Sequence, residues 1–203
     1  MMRTIVKLPE PDFWSEYRRR NPNIRYSDLD CSEEGRDLRK KIREYMIDNQ
    51  HGLCAYCCRE IDDKHSLNEH IAPQQQYPDR TMDYENLVAC CNADPDTCEK
   101  RKKNKYDPDL FISPLQKNCE EHFSFSFDGT IRGITPQGKY TVGLLNLNSY
   151  RLQQARRAHL ITALNYHDKE FVTKYFLTPS ECDGKMRQFP DIIGYFLSRG
   201  MIY

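Results

Sequence analysis

The sequence has no long apolar run, no leader-like start and no net charge. Its 30 Lys and Arg residues are matched by 30 Asp and Glu across 203 positions. No overall field therefore draws in a polyanion, and any attraction for nucleic acid must be local. No stretch approaches the roughly 20 apolar residues of a membrane span. With no signal peptide either, a soluble cytoplasmic protein is expected. Nine cysteines are an odd number, which in a reducing compartment points to metal rather than disulfides. Cys31, Cys119 and Cys182 are scattered and read as packing residues.

What is present concentrates between Leu53 and Lys105. Cys54 and Cys57 are spaced so that both thiolates can face one ion, half of a tetrahedral structural zinc site. Cys91 and Cys98 are the best candidates for the second half, across a segment long enough for a small hairpin. Between the halves, Glu69-His70 closes a short run before Ile71-Ala72-Pro73. Such a pair can divide labour, the carboxylate binding a hard divalent cation and the neutral imidazole taking a proton. Successive side chains of a strand point opposite ways, so the two serve one site only if the strand ends or bends there, and Pro73 favours that.

These motifs resemble the HNH endonucleases, in the zinc-braced form of their ββα-metal fold. The resemblance implies a general base in His70 and a first metal ligand in Glu69, where Asp is more usual. It implies that Asn86 pins the His-bearing strand through backbone hydrogen bonds, and its spacing to the next cysteine selects Cys91 over Cys90. It places Glu99 where His or Asn is usual, as second ligand of a catalytic magnesium or manganese ion, with Asn104 in reserve. Asp94 and Asp96 read as loop residues.

Around this core, Pro11 opens a short helix bearing Phe13, Trp14 and Tyr17, followed by the basic knot Arg18-Arg19-Arg20. Ser32 caps a helix with Leu38, Ile42, Tyr45 and Met46 on one face, stopped by Gly52. Gln74 to Arg80 reads as an exposed loop. Five of the six residues from Lys100 to Lys105 are cationic, and Lys102 and Lys103 are expected at phosphate. Phe123, Phe125 and Phe127, then Asp128-Gly129 and Thr130 to Ile134, predict a hairpin. A long helix is predicted from Ser149 to about Leu177, with Leu152, Ala155, His159, Leu160, Ala163, Leu164, Phe171 and Tyr175 apolar and Arg151, Arg156 and Arg157 on another side. Pro190 to Tyr203 predicts a last short helix and an apolar tail.

The reading is therefore an α+β, mainly helical chain. It comprises an N-terminal helical segment (1–52), a nuclease core with structural zinc (53–110), and a β-hairpin with C-terminal helices (111–203). Leu145-Asn146-Leu147-Asn148, Leu152 and Arg156 resemble the PtuB-type subgroup, which implies antiphage defence in Septu or retron systems, nucleic acid (DNA, or RNA such as tRNA) as substrate, an ABC-class ATPase partner, and in some systems a retron reverse transcriptase with its RNA and DNA. The alternative from another class is a non-catalytic zinc module that binds nucleic acid or a partner ATPase.

Overall fold

Ser32 starts the helix that leads into the site. Its Oγ accepts the Gly35 amide at 3.0 Å, and Glu33 and Glu34 place negative charge in the first turn. In the computed structural model, which describes residues 2–202, helix α2 spans Glu33–Asn49 and buries Leu38, Ile42 and Met46. Helix α1, Asp12–Arg20, packs Trp14 and Tyr17 beside it.

After Gly52, in the left-handed region at φ +73°, the chain makes a cysteine-bearing turn and enters strand β1 (Ser66–His70). Strand β2 (Leu87–Cys91) runs antiparallel to it, with Ser66 opposite Cys91 and His70 opposite Leu87. All five β2 residues are buried, because α2 covers one side of the ribbon and α3 (Cys98–Lys102) lies against the strand on which it depends. The result is a ββα unit whose first strand stops at His70.

Strands β3 (Phe123–Phe125) and β4 (Ile131–Gly133) form a second antiparallel pair. Phe123 and Phe125 are buried, but Phe127 lies beyond the strand, 54% exposed, stacked on Phe196 with ring centroids 4.4 Å apart. Helices α4 (Pro136–Leu144), α5 (Tyr150–Leu164), α6 (Lys169–Leu177) and α7 (Pro190–Leu197) complete the order. A continuous cluster of buried side chains runs from Met2 to Ile202. Among the described residues no helix is long and apolar enough to cross a membrane.

Four predicted features differ. The long C-terminal helix is two helices, because His167 adopts φ +47° and Asp168 Oδ1 caps a new helix by accepting the Phe171 amide at 2.9 Å. Phe171 and Tyr175, assigned to its apolar side, are each 39% exposed. Arg156, assigned to a polar side, is buried. Its Nε donates to Gly129 O at 2.8 Å and its Nη2 to Leu147 O at 2.6 Å and Asn148 Oδ1 at 3.3 Å. Gly129 meets this helix so closely, at φ +84°, that a Cβ there would collide with the Gln153 carbonyl. Cys31 and Cys182 are exposed, and of the three scattered cysteines Cys119 alone is packed inside.

Arg156 thus ties α5 to the hairpin turn and to the segment after α4. Arg156→Met would leave buried carbonyls without a donor. We expect a loss of about 3 kcal/mol of stability, read as a fall of about 6–12 °C in Tm by differential scanning calorimetry.

Candidate metal and nuclease site

Where the cysteine turn meets the ends of β2 and α3, thiols converge. The Sγ atoms of Cys54, Cys90, Cys91 and Cys98 all lie within 4.8 Å of one another, and all four residues are buried. Cys54 is 3.7 Å from Cys90 and 4.0 Å from Cys98, and Cys57 is 3.7 Å from Cys91. A tetrahedral zinc with bonds of about 2.3 Å requires sulfurs about 3.8 Å apart, so the spacing fits. Burial opposes ionisation of Cys54, yet donation from the surrounding thiols pulls it well below the ordinary thiol range. Cys57, Cys91 and Cys98 are raised, chiefly by their bonds to neighbouring thiols, and Cys90 chiefly by burial, to about 12. Thiols packed this closely oppose one another's ionisation, and a bound cation would relieve that opposition. The buried cluster can hold a structural metal such as zinc. Cys90, passed over in the sequence reading, is one of the four that lie mutually within that distance, whereas Cys57, expected as a ligand, is outside that group and approaches Cys91.

Glu69 leaves β1 toward α3. Its Oε1 accepts the Lys102 Nζ at 2.8 Å and the Tyr56 hydroxyl at 3.0 Å. Burial first, and then Glu99 nearby, raise its carboxyl to about 7 against the lowering pull of Lys102. Lys102 Nζ also donates to the His70 carbonyl at 2.9 Å. The expectation that Lys102 touches phosphate is therefore corrected: its side chain is wholly buried, because one turn of α3 directs it under the β1 terminus. Lys103, at the helix end, is exposed. Glu99 is half-buried, and its Oε2 is buried without a hydrogen-bond partner. Carboxylate oxygens are the donors a hard divalent ion prefers; Glu99 offers an unpartnered one near Glu69, whose Oε1 is already taken by Lys102 and Tyr56.

His70 is buried on the other side of the ribbon, edge-on to Tyr26 with ring centroids 4.7 Å apart. Its Nε2 lies 2.9 Å from Thr81 O. A carbonyl can only accept, so Nε2 carries the proton and Nδ1 keeps its lone pair. Among the described residues Nδ1 has no hydrogen-bond partner. Burial pushes the imidazole down to about 4 despite the Thr81 bond, so it is neutral at physiological pH. Asn86 closes the loop between the strands. Its Oδ1 accepts the Ala72 amide at 2.8 Å, and its Nδ2 donates to Ala72 O at 3.0 Å and Arg80 O at 3.1 Å. Asn104 is exposed, and its Nδ2 donates to Gln75.

The sequence that builds this ββα unit, with its histidine ending β1 and its cysteine cluster, has relatives among known proteins. A protein of Vibrio cholerae named as an HNH endonuclease of retron Vc95 is 28% identical over 161 residues, 69% of this chain and 76% of its own. One of Escherichia coli, named for retron Ec83, is 25% identical over 206 residues, covering 77% and 78%. The chain is a homologue of retron HNH endonucleases. The Septu protein PtuB of Bacillus thuringiensis is 28% identical over 112 residues, 53% of this chain and 41% of its own. No family model matches the chain.

In this retron and Septu homologue, Glu69, Glu99 and Lys102 are brought together with Tyr56, which sequence reasoning missed although it sits inside the Cys54–Cys57 turn. The Lys102 role had a signal too: three residues after Glu99, it shares a face of one helical turn. Thr81 carried none.

Metal analysis should find about one zinc per chain by the four-ligand rule. It should be lost in Cys54→Ser and Cys98→Ser, while whichever of Cys57→Ser and Cys90→Ser retains it names the spare thiol. Equally, His70 is harder to protonate folded than unfolded, so its share of stability is present above pH about 6.5 and is lost as pH falls through about 4. Urea denaturation of wild type and His70→Gln should differ in this window by up to about 3 kcal/mol, the variant having the flatter acid limb.

Proposed function

We propose that the chain is a metal-dependent HNH endonuclease hydrolysing phosphodiester bonds in nucleic acid, the toxic effector of an antiphage system under the control of a partner ATPase. The observation that carries the reading is the tautomer of His70. With Nε2 committed to Thr81 O, the neutral ring offers Nδ1 as a proton acceptor at the end of the strand that also carries Glu69. A purely structural histidine gains nothing from leaving its second nitrogen unused.

In this reading the cysteines hold zinc and keep α3 against β2, while Glu69 and Glu99 would hold magnesium or manganese. That ion supplies Lewis-acid stabilisation of charge building on phosphate and on the leaving oxygen. His70 Nδ1 takes the proton of the attacking water, or of a 2′-hydroxyl where the substrate is RNA. Asn86 fixes the loop so that Thr81 O keeps its place against His70. Lys102 anchors Glu69 and the His70 carbonyl from beneath. Lys103, with exposed Lys100 and Lys105, supplies phosphate affinity independent of base sequence. Retron and PtuB relatives support the defence setting, and the PtuB resemblance is the ground for the ATPase and, in a retron, for a reverse transcriptase.

The test is cleavage of plasmid DNA and total RNA with magnesium or manganese, with and without the ATPase encoded alongside. His70→Ala should lose about 10²–10⁴-fold in rate with fold and zinc intact, and Glu99→Gln should raise the metal concentration needed. Undiminished cutting by His70→Ala would remove the assigned base.

A further inference from the structure

Away from the ribbon, the break between α5 and α6 leaves aromatic rings at the surface. Tyr166 is 43% exposed and Phe171 and Tyr175 39% each. Phe171 and Tyr175, one helical turn apart, stack at 5.3 Å between centroids with planes inclined by 12°. Tyr166 leans on Phe171 at 4.5 Å, and the Arg187 guanidinium lies 4.7 Å from the Tyr175 ring centre. Phe171 and Tyr175 line a groove of about 470 Å³ whose remaining walls are Lys174, Lys185, Arg187 and the hydroxyls of Thr178 and Ser180.

An interior-facing aromatic set would be covered, and a protein-docking face, which is also rich in Tyr, Phe and Arg, is depleted in lysine. Here three cations and two hydroxyls stand in the groove itself with no carboxylate among its walls. Asp183, the nearest acid to Lys185 along the chain, accepts the Lys185 amide at 3.1 Å and also feels the Ser180 hydroxyl and the Lys185 charge, but it stands outside the groove walls. Flat rings with cations between them match unstacked bases joined by phosphates. We infer that the α6 groove is a binding site for single-stranded nucleic acid, in which bases stack on Phe171 and Tyr175 while Lys174, Lys185 and Arg187 meet the backbone. Duplexes fit poorly, since their bases are already stacked on one another. The site is separate from the nuclease reading and would hold a strand whether or not it is cut.

Fluorescence anisotropy of labelled oligo(dT) and oligo(U), each about 20 nucleotides, is measured on the full chain without added divalent cation. Phe171→Ala and Tyr175→Ala should each weaken binding about tenfold, and Tyr175→Phe should retain it. The triple change of Lys174, Lys185 and Arg187 to Gln should flatten the salt dependence by a slope of about 2. Preference between the two oligomers identifies DNA or RNA as the strand. Wild-type affinity in the alanine variants, or a loss confined to co-purification with the partner ATPase, would overturn the assignment. Because no cutting is measured, these results stand whatever the fate of His70→Ala.

Discussion

Three segments with almost no regular structure of their own meet at the sulfur cluster: the turn after Gly52, the last residues of β2 and the first of α3. Helix α3 has five residues, far short of the length at which helices persist alone. It is held by Cys98, whose side chain joins the cluster and whose amide donates to Leu145 O at 3.0 Å. Buried thiols packed this closely oppose one another's ionisation. A structural metal such as zinc, which the cluster can hold, would relieve that conflict and couple its own binding to folding. Everything that α3 presents to β1 inherits its position from those sulfurs.

What α3 presents is a buried ion pair. Lys102 and Glu69 are 2.8 Å apart with side chains 0% and 8% exposed. Such pairs contribute little net stability, since desolvation offsets most of the attraction, so the pair is better explained by placement than by strength. Lys102 makes a second bond to the His70 carbonyl, clamping both residues at the strand end from one side, while Thr81 orients the imidazole from the other. The alternation of a strand separates Glu69 from His70, and the ammonium beneath them is the element common to both.

Local signals in the sequence were those with local causes. The Ser32 cap, the apolar face of α2, the end of β1 before Pro73 and the Asp128-Gly129 turn all depend on neighbours within a few residues, and all four are found. Signals failed where the partner is distant. Arg156 is buried because its acceptors come from the hairpin turn and from Leu147 and Asn148, which periodicity cannot reveal. The break at His167 contains no Gly or Pro and rests on the cap made by Asp168. Cys90 was set aside by spacing, although strand β2 ends where both it and Cys91 can turn toward Cys54. The Glu69-His70 motif was legible as a resemblance, but the partner that fixes the tautomer of the imidazole was not, because Thr81 is eleven residues away and contributes only its carbonyl.

Net neutrality also looks different once the cations are located. The run from Lys100 to Lys105 suggested five charges for a polyanion, but Lys102 is directed inward and Arg101 faces Asp96 at 3.4 Å. Lys100, Lys103 and Lys105 remain at the surface beside the ββα unit, while Lys174, Lys185 and Arg187 gather at the α6 groove. A charge-balanced chain can thus keep two separate basic patches, each screened over about 8–10 Å by physiological salt. Long-range steering is weak under such conditions, so capture depends on contact and, at α6, on stacking that salt does not weaken.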